Sequence, residues 1–437
     1  MKKKKYNEKH SKKIRKLAAF CCLIAIFLSV STYAWFIGMK TVKVSEFDIN
    51  IATTEGLFLS MDGSDWTYNL DVNEATQYEN NTNKIDGVEL IPLSSVGDMD
   101  STTSRMKLFE KSSLTAVPGG YRLLSAQVNN YTDTEDTTGE YIEGDGYVAF
   151  DLFVKNLSGE EYYIENNPEN EEAIYLNTNS SVTVAADGGV QNTGIENSIR
   201  VAFTQIGRIE NTEAPEAVST ITAMTCADDQ EGTYPVTGIC RNAQIWEPND
   251  TAHVQNAINW YNTSCLARTA ADVDSDASYT PSGDNNTTCN QISNGTSYPT
   301  YTISRRIDIA DEVNIYDGPV FNTYAANSTD YATYSAADSD TKGNYKLVDY
   351  PYFTDTMKDI AGAERPQFMT LAPNSITKLR VYIYLEGQDI DNYDFAQLGA
   401  KVSVNFGFTK ERYTEDDIDY EGPSTDITPS AEEEAGM

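Results

Sequence analysis

Histidine is scarce in this chain of 437 residues, which has only two. His10 lies in the basic start of the chain, so His253 is the single histidine of the remainder. A metallopeptidase of the H-E-x-x-H kind needs two histidines on one helix face, which excludes this class. A Ser-His-Asp triad would depend on His253, but the chain has no G-x-S-x-G motif to present the nucleophile. We therefore predict no enzyme activity, and interpret His253 as a polar residue on a short helix that Asn249 or Asp250 caps.

Basic residues are scarce as well. Lys and Arg number 32 against 66 Asp and Glu, a formal net charge of −34. Many of the basic residues are concentrated in the first segment, MKKKKYNEKHSKKIRK (1–16), so the remaining chain is strongly acidic. Such a surface repels nucleic acid and anionic lipid, and we expect no nucleic-acid partner. It could attract divalent cations, although a solvated acidic surface is the simpler interpretation.

Long apolar runs are absent except for LAAFCCLIAIFLSV, which begins at Leu17. A basic segment followed by such a run is the signature of export, with segment 1–16 held in the cytoplasm. Small residues occupy the −3 and −1 positions of a signal-peptidase cut between Ala34 and Trp35. The alternative is a retained membrane helix over residues 17–39, which are uncharged and long enough to span a bilayer. Both interpretations place the rest of the chain outside the cytoplasm.

The chain has six cysteines, two of which, Cys21 and Cys22, lie in the apolar run. The other four fall in the exported part: Cys226, Cys240, Cys265 and Cys289. An even number of exported cysteines favours two disulfides, for which three pairings are possible. Their order suggests that the first two pair with each other and the last two likewise. A zinc site is the alternative, but neither a C-x-x-C pair nor clustered histidine supports it.

Apolar and polar residues alternate in several stretches, which is typical of strands that bury one face. The stretches are 42–52, 146–156, 198–206, 377–387 and 401–409, with a shorter one at 57–61. In the first of them the alternation slips by one residue at Ser45–Glu46, which predicts a β-bulge. Strands of this kind bury their apolar faces when two sheets pack face to face. We therefore predict an all-β, jelly-roll-like sandwich preceded by one N-terminal apolar helix.

The predicted sandwich covers residues 40–409 and is interrupted twice where the alternation weakens. Residues 62–140 form a polar insertion, and residues 207–365 form a larger insertion that contains the four exported cysteines. The segment 410–437 carries many acidic residues without an apolar pattern, so we predict a disordered tail.

One acidic cluster, EGQDIDNYD, follows the strand predicted at 377–387 and supplies Glu386, Asp389 and Asp391. Carboxylates at the end of a strand suit Ca²⁺, which prefers oxygen ligands. We predict a possible calcium site there, with a solvated acidic turn as the alternative. A second cluster, DVDSDASY, lacks the glycine and the distal glutamate of an EF-hand loop.

The start of the chain resembles the TasA/camelysin family of exported bacterial matrix and surface proteins. The residues that carry the resemblance are the apolar run, the motif T-Y-A-W-F at 32–36 and the strand pattern VSEFDINIA. The resemblance implies an exported β-sandwich, a dedicated signal peptidase that cuts after Ala34, and assembly into fibres. Later stretches such as IWEPN and LAPNSITKLRVYIYLEGQDID look like pieces of uncharacterised exported proteins.

The leading functional prediction is an exported structural or interaction protein of the bacterial surface or biofilm matrix, with self-association as a possible mode of action. The second is an adhesin whose disulfide-pinned insertion binds a glycan or a protein. The third is a secreted hydrolase that uses paired carboxylates, although the abundance of acids makes such pairs unspecific.

Overall fold

The structure is a computed structural model, and strands dominate it. It describes residues 16, 42–51, 56–72, 83–85, 88–95, 97, 99, 105–117, 120–127, 131–135, 141–158, 160–163, 168–219, 221, 241–259, 293–297, 305–307, 314–315, 352–387, 389–393, 396–397 and 400–412. The side chains of 45–48, 50–51, 83–84, 110–117, 120–127, 131–135, 141–142, 168, 305–307 and 314–315 are outside this description.

The strands are as follows: β1 Val42–Ile51, β2 Leu57–Ser60, β3 Asn69–Asp71, β4 Asn83–Lys84, β5 Pro92–Ser94, β6 Phe109–Val117, β7 Gly120–Gln127, β8 Tyr131–Glu135, β9 Tyr141–Glu143, β10 Val148–Asn156, β11 Glu172–Leu176, β12 Ser181–Val184, β13 Ile199–Glu210, β14 Gln244–Glu247, β15 Arg305–Ile307, β16 Asn314–Ile315, β17 Phe353–Thr354, β18 Met369–Leu371, β19 Ser375–Glu386 and β20 Ala400–Thr409. The helices are short: Pro215–Ser219, residues 255–259 and Asp355–Lys358, with 3₁₀ turns at Pro168–Asn170, Ile195–Ser198 and Gly362–Glu364.

Every alternating stretch of the sequence forms a strand in the structure, namely β1, β2, β10, β13, β19 and β20. The bulge predicted at Ser45–Glu46 is confirmed, because the pairing of β1 with β20 shifts register between Val44 and Glu46. The sequence pattern is therefore a sound guide to these strands, and the β-rich class is confirmed.

The described strands form two large mixed sheets and one small one. The first sheet has the order β18-β11-β20-β1-β3, and β12 also pairs with β20. The second has the order β16-β15-β7-β6-β5-β19-β13-β14-β17; β10 also pairs with β19, and β2 and β4 pair with β10. The third contains only β8 and β9. The best-paired strands, β19 and β20, lie close to the C-terminal end of the described chain.

One apolar cluster joins the two large sheets. Ile49, Phe406 and Phe408 come from the first sheet, and Phe150 and Leu379 are among those from the second. These side chains are almost completely inaccessible to solvent. Burial of apolar surface is the dominant favourable contribution to folding, so this cluster is the main source of stability.

In the second sheet, the face that points away from the main cluster is also covered by protein, whereas the sequence pattern predicts burial of one face only. All twelve residues of β19 are buried, including Arg380, Tyr382 and Tyr384 on the face opposite to the main cluster. A second apolar cluster lies over this face. It includes Leu93 and Met106, among other residues. The polar side chains of β19 are thus enclosed by protein.

The segments that cover this face belong to the two predicted insertions. Leu93, Met106 and Leu108 come from region 62–140, and Ala243, Ile245 and Tyr352 come from region 207–365. Region 62–140, predicted as a polar insertion, therefore also contributes apolar residues to the core. Both regions add strands to the second sheet and bury apolar side chains on it.

The start of the predicted acidic tail is attached to the fold. Lys410 Nζ lies 3.0 Å from Glu172 Oε2, and Arg412 Nε donates to the Tyr175 hydroxyl at 3.1 Å. The rest of the tail, residues 413–437, lies outside the described residues, as do the predicted basic segment apart from Lys16 and the predicted helix over 17–39. Within the described part of the chain, no helix has the length and apolar character needed to cross a membrane.

Candidate functional site

The three residues predicted as calcium ligands lie together at the end of β19. Glu386 is the last residue of the strand, and Asp389 and Asp391 follow in the adjoining turn. Glu386 and Asp391 are fully buried, and the side chain of Asp389 is only 9% exposed. The alternative of a solvated acidic turn does not match this burial. We call this region, with the neighbouring Arg200, Glu247 and His253, the acidic corner.

Arg200 on β13 is the main cation of the acidic corner. One of its terminal nitrogens, Nη2, lies 2.7 Å from Asp389 Oδ2 and 2.5 Å from Glu247 Oε1 on β14. Asp389 Oδ1 accepts further hydrogen bonds from the Ser198 hydroxyl at 3.1 Å and the Asp391 amide at 2.8 Å. Because Arg200 is completely buried, its charge depends on these carboxylates for compensation.

His253 pairs with Asp391 rather than lying on the helix. Its Nδ1 is 2.8 Å from Asp391 Oδ2, and its Nε2 is 3.0 Å from the Thr296 carbonyl oxygen. A carbonyl only accepts hydrogen bonds, so Nε2 carries a proton, and Nδ1 shares another with Asp391. Burial alone would lower the pKa of His253, but the hydrogen bond and the charge of Asp391 raise it overall.

The helix that follows starts at residue 255, so the predicted caps are wrong. Asp391 Oδ1 accepts from the Val254 amide at 3.1 Å, which supplies an acceptor from a different part of the chain. Asp250 instead accepts from the amide and the hydroxyl of Thr356, at 3.2 and 2.8 Å. Asn249 has a left-handed backbone, with φ of 57°. Long-range pairing has replaced the local caps that the sequence suggested.

Glu386 is held by hydroxyl groups. Its Oε1 accepts from Ser94 at 2.5 Å, and its Oε2 accepts from Tyr352 at 3.2 Å. Ser94 is on β5, which pairs in parallel with the end of β19, and this pairing brings the hydroxyl to the carboxylate. Glu386 therefore links segments from both predicted insertions to the central strand.

Burial raises the pKa values of two carboxyl groups in the acidic corner, and the neighbouring carboxylate of Asp389 adds to both shifts. Burial raises the pKa of Glu247 to about 7; the charge of Arg200 opposes the shift, and Asp389 adds to it. Burial also raises the pKa of Asp391 to about 6, against the hydrogen bond from His253. Two carboxyl groups of the acidic corner thus take up protons close to neutral pH.

The geometry of the acidic corner favours internal pairing over metal coordination. Among the described residues, no group of three or more His, Cys, Asp or Glu is arranged to hold a metal ion. To reach Ca²⁺, Asp389 would have to leave Arg200 and Asp391 would have to leave His253. Calcium binding remains a prediction, and it requires that both carboxylates give up these partners for the ion.

A second buried ionic network lies further along the same face of the second sheet. Asp151 on β10 accepts from the Nε and Nη2 of Arg380 at 2.8 and 3.2 Å, and lies 3.2 Å from Lys378 Nζ. Arg380 also approaches Glu143 at 3.6 Å, and Glu143 in turn lies 2.5 Å from Arg105. Asp151 and Arg380 occupy directly opposite positions in the pairing of β10 with β19.

Glu143 is the centre of the other half of this network. The hydroxyl groups of Tyr147 and Tyr382 donate to its two oxygens at 2.5 and 2.8 Å. Burial raises the pKa of Glu143, while the charge of Arg105 opposes the shift. Burial and the charge of Glu143 likewise raise the pKa of Tyr382, so both tyrosines remain protonated donors.

The sequence reasoning missed Arg200, Arg105, Glu143 and Asp151. Two of them could have been noticed in the sequence, because Arg200 and Asp151 each lie inside a strongly alternating strand. A charged residue in such a strand needs a partner if its face of the sheet is buried. Trp246, by contrast, packs fully buried in the main cluster, and its Nε1 donates to Asp355 at 2.8 Å.

The remaining predicted site residues lie outside the described part of the chain. They are Cys226, Cys240, Cys265 and Cys289, and Ala34 and Trp35 at the proposed cut. The disulfides and the cleavage site therefore remain predictions.

No protein-family model matches the chain, and no curated protein or solved structure does so either.

Proposed function

We propose that this protein is an exported, non-catalytic structural or interaction protein of the bacterial surface or extracellular matrix. The observation that carries the proposal is the internal use of its buried ionisable groups. Arg200, His253 and Asp389 are each paired with other side chains or with backbone groups of the fold. A general acid or base must be able to reach a substrate, whereas these groups hold segments of the protein together.

The mode of export and the finer fold belong to this proposal. The basic segment 1–16 and the apolar run after it support export, with a signal peptidase as the first partner and with membrane anchoring if the cut after Ala34 is not made. Side chains from both large sheets share one apolar cluster, which supports a jelly-roll-like sandwich. The T-Y-A-W-F motif supports a relationship to the TasA/camelysin family.

Self-association through β1 would require an exchange of strands between chains. In the structure β1 lies between β20, with which it is parallel, and β3, with which it is antiparallel. Both of its edges are thus used within its own chain. The same position could accept β1 of a neighbouring chain, and such a head-to-tail contact generates open filaments when it does not close.

A crosslinking experiment tests this exchange. Asp48 and Asn405 are direct partners in the β1–β20 register. Asp48→Cys is introduced into a chain of residues 35–437 that carries a tag, and Asn405→Cys into an untagged chain. After mixing and mild oxidation, strand exchange gives a disulfide-linked heterodimer on a non-reducing gel. A control with Asp187→Cys in place of Asp48→Cys should give none, since Asp187 lies outside β1.

Light scattering and electron microscopy of the same protein test the wider proposal. Concentration-dependent assembly or filaments would support a matrix role. A monomer without crosslinks would refute self-association and leave the adhesin alternative. Hydrolysis of a substrate that a single Asp or Glu substitution abolishes would refute the non-catalytic proposal altogether.

A further inference from the structure

A pocket of about 230 Å³ lies between β13, β14 and β18, separate from the acidic corner. Its floor includes the rings of Phe203 and Phe368, whose centroids are 5.2 Å apart at an interplanar angle of 85°. Both rings also contact Phe408 of the main apolar cluster. The core therefore holds this aromatic floor rigid, and because each ring is only 2% exposed, only a small part of it faces the pocket.

The rim of this pocket is rich in amides. Asn242, Gln244 and Gln367 line it and are exposed to solvent, and Gln205 lines it from β13. A primary amide offers two donors and an acceptor, so a few of them can bind several hydroxyl groups. An apolar floor with a small number of polar groups is the usual composition of a small-molecule site.

The one charged residue of the lining, Arg241, already uses its terminal donors on Glu171, a carboxylate that it shares with Arg208 at 2.6 Å. Arg241 Nη1 and Nη2 donate to the two oxygens of Glu171 at 2.7 and 2.6 Å, and Nη1 also approaches the Gln205 side-chain oxygen at 3.2 Å. Burial raises the pKa of Glu171, but the bonds from Arg241 lower it overall, so the carboxylate is ionised at neutral pH. Together with the net charge of −34, this disfavours an anionic ligand.

The size of the pocket limits the ligand further. Its volume equals that of about eight water molecules, at about 30 Å³ each, and is smaller than the roughly 300 Å³ at which drug-sized sites begin. One six-membered sugar ring fits this space, and the exposed rim lets a longer chain continue into solvent. We propose that this pocket binds one neutral pyranose unit of an extracellular glycan, through amide–hydroxyl hydrogen bonds above the aromatic floor.

Calorimetry on residues 35–437 tests the proposal. The probes are neutral hexoses and N-acetylhexosamines, short oligosaccharides of each, and glucuronate as an anionic counterpart. We expect millimolar affinity for at least one neutral sugar, tighter binding of its oligosaccharides, and weaker binding of glucuronate. Gln244→Leu and Gln367→Leu should each weaken binding about fivefold, as expected for the loss of one neutral hydrogen bond.

Gln191→Leu serves as the matched control, since Gln191 is an exposed amide outside the pocket. All three substitutions are on the surface, and an unchanged melting temperature would show that the fold is intact. The proposal is overturned if no neutral sugar binds, if glucuronate binds more tightly, or if the pocket variants bind as well as Gln191→Leu. It holds or fails independently of self-association, which the crosslinking experiment tests.

Discussion

Replacing Asp151 by Asn should destabilise the protein strongly, because this carboxylate pairs with both Lys378 and Arg380 in the second ionic network. All three side chains are at most 1% exposed. Removing one partner of a buried ion pair leaves the others without compensation, which typically costs about 3–5 kcal/mol. Lys378 would retain its bond to the Ile221 carbonyl at 2.9 Å, and Arg380 its more distant contact with Glu143. We therefore expect a loss near the lower end of this range.

The chain offers a matched control for this experiment. Lys401 and Asp187 form an ion pair at 2.9 Å, close to the 2.8 Å of Arg380 and Asp151, but their side chains are 38% and 61% exposed. Exposed pairs contribute little, so Asp187→Asn should change the free energy of unfolding by less than about 1 kcal/mol. The two variants thus differ in burial and in the number of cations that the carboxylate meets, at nearly the same shortest ion-pair distance.

Urea denaturation followed by tryptophan fluorescence and circular dichroism measures both variants. With an m value of about 3 kcal/mol/M, Asp151→Asn should lower the urea midpoint by about 1 M. A third variant that replaces Asp151 by Leu and both cations by Met should recover most of the lost stability, because no charge remains without a partner. Equal midpoints for Asp151→Asn and Asp187→Asn would refute the reasoning.

Other consequences can be tested on the same protein. If Ca²⁺ binds the acidic corner, the melting temperature should rise with calcium and fall with chelator, and Asp389→Asn with Asp391→Asn should remove this dependence; an unchanged melting curve refutes the site. Because the pKa values of Glu247 and Asp391 are raised to about 7 and about 6, these groups bind protons more tightly in the folded state than in the unfolded state. Their contribution to stability should be fully present below about pH 4, where Asp and Glu of the unfolded chain are protonated, and lost as the pH rises through about 7. The raised pKa of His253 acts in the same direction at higher pH, so a free energy of unfolding that increases from about pH 5 to about pH 8 contradicts the assignment. Non-reducing peptide mapping should find the four exported cysteines in two disulfides, each stabilising by roughly 3 kcal/mol, whereas four free thiols or bound zinc would exclude them.

The strands with strict alternation could be predicted from the sequence because their period of two survives in the fold. β10, β19 and β20 begin and end within about two residues of their predicted limits, as is usual for such boundaries. The shift at Ser45–Glu46 was visible because an extra residue reverses the side-chain alternation. Short strands such as β5 and β18 gave no such signal, since three residues are too few to show a period.

The acidic corner could be predicted only in part. The sequence placed Glu386, Asp389 and Asp391 together, because they are neighbours along the chain. It could not supply Arg200 or His253, which reach the corner through the pairing of β13 with β19 and through the segment before residue 255. The spacing of residues along the sequence shows which acidic residues are close to one another. Which cations they pair with depends on the register of the strands in the sheet.

The positions of β19 and β20 constrain the order in which this protein can fold. Both strands lie within residues 375–409, yet β20 pairs with β1 and β19 pairs with β10 and β13. Neither sheet can be completed until almost the whole chain has been made, and pairing between ends so far apart in sequence is intrinsically slow. A chain that ends before residue 375 therefore lacks the central strands of both large sheets, so truncation anywhere upstream should leave the main apolar cluster open to solvent.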